Sequence, residues 1–445
     1  MNPMRELLKR FNDYASLVTE IPSIRIDGKV SNMVGLVIEA SLPGATMGEL
    51  CQIHTSSGEV IRAEIVGFKA EKVLVMPLDQ TIGIAHGSRV ERSPIPLSVG
   101  VGPELLGRVI DGLGNPIDGK GPIVSEKRQA VYNDPPNPLT RQRIRSVLST
   151  GIRSIDGLVT IGRGQRVGIF AGSGVGKSVL LGMMARYTEA QVNVIALIGE
   201  RGREVREFIE RDLGPEGLSR SVVVVATSDQ AAMIRVKGAL IATAIAEYFR
   251  DEGKDVMLLM DSLSRVAMAQ REIGLSVGEP PTTKGYTPSV FALLPRLLER
   301  AGTASRGSIT GLYTVLVEGD DMDEPISDAS RAILDGHIVL SRALATRGQY
   351  PAIDVNQSIS RLLTEIVADD HLSQAQAILE MLADYRDSED LINIGAYVAG
   401  SNASVDRAIK KISAIKKFLK QDMRDSAPFE DTRSKMVDIL QDEAA

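Results

Sequence analysis

The central part of the chain alternates short, almost uninterrupted apolar runs with stretches of helical periodicity. The apolar runs are QRVGIFA, VNVIALIG, SVVVVATS, DVMLLMD, SITGLYTVLV and HIVL. Apolar runs of this length are typical of strands buried on both faces, and helical connections between them place consecutive strands in parallel. The pattern therefore predicts an α/β fold with a largely parallel sheet and helices on both of its faces.

A glycine-rich loop separates the first apolar run from a helical stretch. The segment AGSGVGKS, residues 171–178, follows QRVGIF and precedes SVLLGMMARY. Glycines let successive backbone N–H groups point at phosphate oxygens, and the start of the helix adds its positive end. In such a loop the lysine reaches the β and γ phosphates and the serine hydroxyl binds magnesium. We therefore predict a site for ATP and Mg2+ at Gly172, Ser173, Gly174, Val175, Gly176, Lys177 and Ser178.

The loop departs from the usual phosphate-binding pattern at one position. That pattern begins with a glycine, and this chain has Ala171 there. Alanine is compatible with the loop if the position needs no positive φ. The sequence thus predicts that Ala171 has ordinary extended or helical backbone.

Two further strand ends carry carboxylates. The run VMLLMD ends at Asp261, and VIALIG continues into a charged segment that contains Glu200 and Glu204. Parallel strands share one edge for their carboxyl ends, so Asp261 is predicted to bind magnesium beside the phosphates. Hydrolysis also needs a group that orients or deprotonates the attacking water. Spacing leaves both glutamates open for that role, and leaves open a purely structural cluster of salt bridges.

The N-terminal third has different periodicities. Apolar residues at helical spacing between Met4 and Val18 predict an amphipathic docking helix within residues 1–24. A helix packed on its own domain is the structural alternative. Short β-rich runs separated by turn residues then predict a small β-barrel over residues 25–95.

The remaining chain divides into two larger parts. The proline cluster DPPNPL, residues 134–139, indicates a connector inside the region 96–350, which we assign to the nucleotide-binding domain. Helical periodicity predicts a C-terminal helical domain over residues 351–445. Its segment AIKKISAIKKFLK has a basic face, for which a solvated helix surface is the simpler interpretation.

Composition excludes several classes of function. Lysine and arginine number 51 against 57 acidic residues, a net charge of −6, so the whole chain has no general attraction for nucleic acid or anionic lipid. Its single cysteine, Cys51, cannot form an intrachain disulfide, which favours a reducing compartment. No uncharged apolar run is long enough to span a bilayer, and the N-terminus lacks a secretory signal. We therefore expect a cytoplasmic protein that binds no nucleic acid.

Several blocks resemble those of the rotary-ATPase catalytic subunit family, most closely its type III secretion branch. They are TGIRSIDGLVTIGRGQRVGIFAGSGVGKS, LIGERGREV, LLMDSLSR and YPAIDVNQSISR, and they occur in the family's order. The similarity extends from about residue 25 to about residue 420. Segments 261–302 and 308–342 are most similar to the flagellar group of that branch, with the virulence injectisome group as the alternative. The resemblance implies a RecA-like P-loop core that hydrolyses MgATP to promote chaperone release, unfolding and export of flagellar proteins.

The resemblance also implies roles for individual residues. Glu200 matches the family's catalytic glutamate, with Arg201 beside it, which makes Glu204 the weaker candidate. Tyr350 matches an aromatic residue that stacks on adenine. Arg361 matches an arginine that reaches the γ phosphate of the nucleotide bound to the neighbouring subunit.

Partners follow from the same resemblance. It implies a homohexamer whose barrels form one collar, with ATP sites between subunits. It further implies a stator or regulator protein at the N-terminal helix, stalk and export-gate proteins, and chaperone–cargo complexes. Association with the membrane would be at most peripheral, at its cytoplasmic face. Where the ATP-synthase catalytic subunit has an acidic DELSEED-like block, this chain has DYRDSEDLINIGAYVAGSN, which argues against a synthase.

Two hypotheses from other classes compete with the export ATPase. A hexameric RNA helicase or translocase needs an N-terminal platform of basic and aromatic residues, and Phe68 is the one aromatic residue in 25–95. A non-catalytic ring subunit that binds nucleotide has no need of a base. The presence of both Lys177 and Glu200 therefore argues for a catalytic subunit.

Overall fold

The computed structural model describes residues 27–441 except 79, 94, 95, 318 and 320. The predicted docking helix at 1–24 lies outside these residues. The described chain forms two compact units, which meet in sequence at Leu97 and Ser98. The strands are β1 Asp27–Val34, β2 Val37–Ser41, β3 Leu50–His54, β4 Val60–Lys69, β5 Lys72–Pro77, β6 Arg89–Ser93, β7 Ser98–Val101, β8 Arg108–Asp111, β9 Lys127–Ala130, β10 Arg166–Ala171, β11 Val192–Ile198, β12 Ser221–Ala226, β13 Asp255–Asp261, β14 Gly302–Thr303, β15 Ser308–Leu316, β16 Gly336–Leu340 and β17 Ile353–Ser360.

Within the described residues, the helices all follow the barrel in sequence. They are α1 Arg153–Leu158, α2 Lys177–Tyr187, α3 Gly202–Glu207, α4 Gly214–Ser219, α5 Ala232–Asp251, α6 Leu263–Ser276, α7 Pro288–Leu298, α8 Pro325–Ile333, α9 Arg342–Thr346, α10 Leu363–Ile366, α11 Asp369–Asn393, α12 Ala403–Leu419 and α13 Phe429–Leu440. A π-helical turn, Phe208–Leu213, joins α3 to α4. Within the described residues, no helix is both long enough and apolar enough to cross a bilayer.

The first unit is a closed barrel in the described residues, with strand order β1-β2-β5-β4-β3-β6. Alternate residues of its strands point inward, as β3 shows with buried Cys51 and Ile53 between exposed or half-buried neighbours. Closure leaves no strand edge unpaired, which explains how so short a segment is stable as a sheet. The predicted small barrel is therefore confirmed. The sequence pattern did not indicate the first strand, because DGKVSNMV is largely polar.

The second unit is built on one large mixed sheet, and it also contains the two-stranded sheet β7-β9. In the described chain the strands of the large sheet follow the order β17-β16-β10-β15-β13-β11-β12-β8, with the short β14 paired to β15. Seven of these strands run parallel to one another, namely β16, β10, β15, β13, β11, β12 and β8. The edge strand β17 runs antiparallel to β16. The predicted α/β class with a largely parallel sheet is confirmed. This order brings the carboxyl ends of β10, β11 and β13 to one edge.

The C-terminal helices share an apolar core with the sheet. Ile169 and Val223 of the strands belong to the same buried cluster as Ile378, Ile415 and Met436 of α11, α12 and α13. The helical region and the sheet accordingly form a single compact unit.

The C-terminal helical region begins later in the structure than the sequence pattern predicts. Ile353–Ser360, which the sequence pattern assigned to that region, forms the edge strand β17, and helices resume only at Leu363. Polar Asn356 and Gln357 interrupt the apolar pattern of this strand, because an edge strand is not buried on both faces. Arg361 directly follows the last residue of this strand, so the position of the strand in the sheet decides where Arg361 lies.

Candidate active site

The predicted phosphate-binding loop connects β10 to α2. Gly174 and Gly176 have φ of 77° and 88°, which a side chain at either position would strain. Ala171 is the last residue of β10, and its carbonyl accepts a hydrogen bond from the backbone of Val317 at 3.1 Å. The position that usually holds glycine therefore has extended backbone here, and alanine is compatible with it. The loop has the strand, turn and helix context that phosphate binding needs.

Asp261 ends β13 on the same edge of the sheet. Its side chain is almost fully buried and accepts a hydrogen bond of 2.7 Å from the hydroxyl of Thr314 on β15. The two strands are parallel with Met260 opposite Tyr313, so Asp261 and Thr314 are the next pair along. Thr314 thereby holds one carboxylate oxygen toward the loop.

Lys177, the first residue of α2, lies against two carboxylates. Its Nζ contacts Oδ1 of Asp261 and is 3.5 Å from Oε1 of Glu200. Burial of the amine opposes its charge, but the two carboxylates outweigh burial and raise the pKa of Lys177. A nucleotide that binds here has to draw the ammonium away from these carboxylates toward its phosphates.

Glu200 follows β11 and is 7% exposed. Its Oε1 is 3.5 Å from the Nε of Arg265 as well as from Lys177. Burial raises the pKa of Glu200 against the effect of Lys177, and a hydrogen bond with Glu204 raises it further. A buried carboxyl with a raised pKa is well suited to accept a proton near neutral pH.

Gly199 makes room for the arginine beside that glutamate. Its φ is 73°, and a Cβ there would lie 2.6 Å from Cδ and 2.9 Å from Cβ of Arg265. Any larger residue would displace the arginine side chain. The glycine therefore permits the close packing that places Arg265 against Glu200.

A cleft of about 690 Å3 opens over the loop. Its wall includes Lys177, Ser178 and Glu200, together with Arg201, whose side chain is 79% exposed and 3.6 Å from Glu204. Among the described residues no group of three or more His, Cys, Asp or Glu side chains could hold a metal ion. Magnesium in nucleotide sites needs only one or two protein oxygens beside phosphate oxygens, and Ser178 and Asp261 can supply them.

Tyr350 lies beside the end of the loop. A Cβ on Gly176 would be 3.4 Å from Cδ1 and Cε1 of its ring. The ring is 48% exposed, and the tyrosine carbonyl accepts a hydrogen bond from Gln421 at 2.9 Å. This aromatic face is thus fixed near the loop and remains accessible for stacking.

Arg361 lies at the other end of the sheet. It follows β17, and Ser360 pairs with Gly336 at the start of β16, whereas the loop extends from β10 beside Leu340 at the end of β16. The five residues of β16 separate these ends by about 13 Å at a rise of 3.3 Å per residue. The exposed Arg361 donates a hydrogen bond to the carbonyl of Arg331 at 3.1 Å. It is therefore not part of the cleft of its own subunit.

Two residues of this site were missed by the sequence analysis. Thr314 lies in the apolar run SITGLYTVLV. A polar residue in a buried strand, near the end that Asp261 occupies on the neighbouring strand, was the sequence signal that could have identified it. Arg265 lies one helical turn past Asp261 in α6, and spacing alone does not show that it turns back to Glu200. Both assignments depend on strand register and loop geometry rather than on local pattern.

Protein-family models match both the barrel and the part of the chain that contains the candidate site. The nucleotide-binding domain of the ATP synthase alpha/beta family matches residues 151–360, and the β-barrel domain of that family matches residues 30–94. A relative at 56% identity extends the similarity over 94% of the chain. The chain belongs to the ATP synthase alpha/beta family. A third match, the T3SS EscN ATPase C-terminal domain over residues 367–438, places it in the type III secretion branch.

Three curated relatives of this branch illustrate the similarity. The flagellum-specific ATP synthase of Bacillus subtilis is 56% identical over 418 residues, 94% of this chain and 95% of its own length. That of Salmonella typhimurium is 48% identical over 441 residues, 96% of each chain. The type 3 secretion system ATPase of Xanthomonas euvesicatoria is 50% identical over 416 residues, 93% and 94% of the two chains. The resemblance inferred from the motif blocks is confirmed.

A solved structure confirms the architecture as well. The assembled ATPase EscN from the type III secretion system of enteropathogenic E. coli superposes with a TM-score of 0.88 at 44% identity. The match covers 93% of this chain and all of that one. EscN in complex with its central stalk EscO gives a TM-score of 0.86 at the same identity and coverage. The predicted fold of barrel, nucleotide-binding core and C-terminal helices is therefore confirmed.

Proposed function

We propose that this chain hydrolyses MgATP to promote chaperone release, unfolding and export of flagellar proteins. One observation carries the catalytic part: Lys177, at the start of α2, contacts both Glu200, which follows β11, and Asp261, which ends β13, beside the glycine loop. The flagellar part is supported by relatives at 56% and 48% identity that are named flagellum-specific ATP synthases. Injectisome export is the second candidate, supported by the 50% identical type 3 secretion ATPase.

Each predicted site residue has a definite role in this proposal. The backbone of Gly172–Gly176 and Lys177 bind the phosphates, and Tyr350 stacks on the adenine. Ser178 and Asp261 would hold Mg2+, which would neutralise negative charge on the phosphate groups. Glu200 orients the attacking water and accepts its proton, with Arg201 beside it at the cleft wall.

The assembly is part of the same proposal. Because Arg361 lies at the sheet edge opposite its own loop, we infer that it completes the site of a neighbouring subunit in a ring of six. An arginine that enters from the neighbour supplies positive charge to the transition state only when the interface is closed. ATP sites then lie between subunits, and the barrels form one collar.

External partners extend the proposal. Stalk binding is supported by the 44% identical EscN, whose structure was solved with its central stalk EscO. We further propose export-gate proteins, chaperone–cargo complexes and a stator or regulator as partners. The protein would work in the cytoplasm, associated peripherally with the inner membrane at the export apparatus.

The RNA-helicase alternative finds little support in the barrel. Phe68 is 55% exposed, and the barrel sequence contains no other Phe, Tyr or Trp side chain with which to stack bases. Binding of single-stranded nucleic acid relies on several aromatic platforms in a basic groove. Tight, strongly salt-dependent binding of single-stranded RNA in a filter assay would reverse this preference.

Purified protein is expected to hydrolyse ATP in the presence of Mg2+, at a specific rate that rises with protein concentration as rings form. Lys177→Ala removes the charge that binds the phosphates and is expected to lower kcat/KM at least about tenfold to a hundredfold. Lys410→Ala, an exposed lysine on α12, is the matched control and is expected to retain wild-type activity. Both variants are then tested for flagellar protein export in cells that lack their own export ATPase.

Two results would contradict the proposal. Equal turnover in Lys177→Ala and wild type would remove Lys177 from the site. Normal export with a variant that hydrolyses no ATP would separate hydrolysis from export, and complementation of an injectisome ATPase alone would select the second candidate.

The proposed stator site has its own test. Deletion of residues 1–20 is expected to abolish co-purification with the flagellar stator protein, because the apolar stripe from Met4 to Val18 would be its docking surface. Nucleotide affinity, measured by MgADP titration, is expected to stay at the wild-type value. Retained co-purification with the stator would refute the assignment.

A further inference from the structure

The cationic side chains that line the cleft over the loop differ in whether they have a carboxylate partner. Five cationic side chains line the cleft, namely Lys177, Arg201, Arg211, Arg265 and Arg342. The ion pairs are Lys177 with Asp261 and Glu200, Arg265 with Glu200 at 3.5 Å, Arg201 with Glu204 at 3.6 Å and Arg211 with Asp212 at 2.8 Å. Within the part of the chain that the structure describes, Arg342 alone among the five has no such partner.

Arg342 occupies a distinct side of the loop. It is the exposed first residue of α9, directly after β16, whose Leu340 pairs with Ala171 of β10. Asp261, by contrast, lies beyond β15, on the other flank of β10. The arginine also lines an adjoining cavity of about 250 Å3, which shares Ala171 and the backbone of Gly172 with the cleft. It thus flanks the loop opposite the carboxylates.

The acidic side chains described in residues 321–324, near Arg342, have partners other than this arginine. Met322 of this segment lines the adjoining cavity. The neighbouring carboxylates have other partners: Asp321 with Lys284 at 3.3 Å, Asp323 with Arg331 at 3.5 Å, and Glu324 with the backbone N–H groups that begin α8. Among the described residues, no carboxylate pairs with Arg342, and its charge is available to a ligand in the cleft.

We propose that Arg342 binds the phosphate chain of the nucleotide. A paired cation has to give up its carboxylate before it binds a phosphate, whereas Arg342 has no bond to break. Its planar guanidinium can also donate two parallel hydrogen bonds to phosphate oxygens. This inference rests on the proposed function, since it assumes that a nucleotide occupies the cleft.

The position of Arg342 also indicates which phosphates it contacts. Tyr350, the proposed base-stacking residue, belongs to the segment that leads from α9 to β17 on the same flank. The γ phosphate is expected near Glu200 and Asp261, on the opposite flank. Arg342 is therefore expected to contact the α or β phosphate, which ADP and ATP have in common.

Titration calorimetry of the full chain with MgADP and with a magnesium-bound, non-hydrolysable ATP analogue tests this assignment. Arg342→Ala is expected to weaken both ligands by about tenfold, the effect of losing one charge-assisted hydrogen bond. KM for ATP should rise by a similar factor while kcat at saturating ATP changes little. Arg342→Lys, which keeps the charge, is expected to recover part of the affinity.

Arg407→Ala is the matched control, because Arg407 is an exposed arginine of α12 away from the cleft. Its affinity for MgADP is expected to equal that of the wild type. An unchanged affinity in Arg342→Ala, or a loss confined to the triphosphate, would overturn the inference. Weakened self-association at unchanged affinity would likewise overturn it and assign Arg342 to a subunit contact. Failure of the wild type to bind either ligand would instead refute the proposed function.

Discussion

Arg361→Ala is expected to lower kcat for ATP hydrolysis by about a thousandfold or more, the range reported for loss of an arginine finger. The residue lies at the sheet edge opposite its own phosphate-binding loop, and we propose that its charge serves the site of the next subunit. Because that charge acts mainly on the transition state, affinity for MgADP is expected to change little. The measurement is steady-state hydrolysis at protein concentrations where the wild type forms rings.

Mixing two impaired variants, Arg361→Ala and Lys177→Ala, distinguishes action in trans from action in cis. Arg361→Ala subunits keep an intact loop, and Lys177→Ala subunits keep an intact Arg361. In randomly mixed rings, roughly a quarter of the interfaces combine both intact parts, so activity is expected to return. An arginine that serves its own subunit would give no recovery. Arg407→Ala mixed with Lys177→Ala is the control, and inactive mixed rings of the first pair would disprove the trans assignment.

Buried strands made most of the fold and the core of the site predictable. The strands β10, β11 and β13 are continuous apolar runs, and the rule that parallel strands share one edge for their carboxyl ends brings Glu200 and Asp261 to the loop. Strands at the edges were harder to predict. β17 contains polar residues and β8 spans only Arg108–Asp111, so neither has the pattern of a buried strand.

Side-chain partners inside the site required the structure. The hydrogen bond from Thr314 to Asp261 depends on the register of β15 against β13. Among the described residues, Arg342 has no carboxylate partner because the nearby carboxylates are already paired. No local sequence pattern contains that information. The ends of strands were thus predictable from periodicity, whereas the charge balance of the cleft follows only from the packed arrangement.

The charge balance suggests how nucleotide binding prepares the site. Lys177 is shared between Asp261 and Glu200, so its move toward a phosphate removes a positive charge from beside Glu200. Loss of that charge raises the pKa of Glu200 further, since Lys177 is the largest influence that opposes burial. On this proposal, the move of Lys177 toward a phosphate makes Glu200 a stronger base at the stage where a proton has to be accepted.

Glu200→Gln is expected to reduce kcat by about a hundredfold to ten-thousandfold, the usual effect of losing a general base. The amide cannot accept the proton of the attacking water, while its size and its position beside Lys177 are kept. Affinity for MgADP should therefore stay close to that of the wild type, or rise because one negative charge near the phosphates is removed. Steady-state hydrolysis and calorimetry on the same preparation measure the two effects separately.

The pH dependence and the Glu204→Gln variant test whether Glu200 is the base. A base works only when deprotonated, so a raised pKa of Glu200 makes wild-type activity fall on the acid side at a higher pH than for an ordinary carboxyl, whose pKa is about 4.3. Glu200→Gln is expected to lose this acid limb. Glu204→Gln should keep the limb but shift it to lower pH, because the hydrogen bond with Glu204 raises the pKa of Glu200. If Glu204→Gln instead removed the limb and the larger part of kcat, Glu204 would be the base and Glu200 its support.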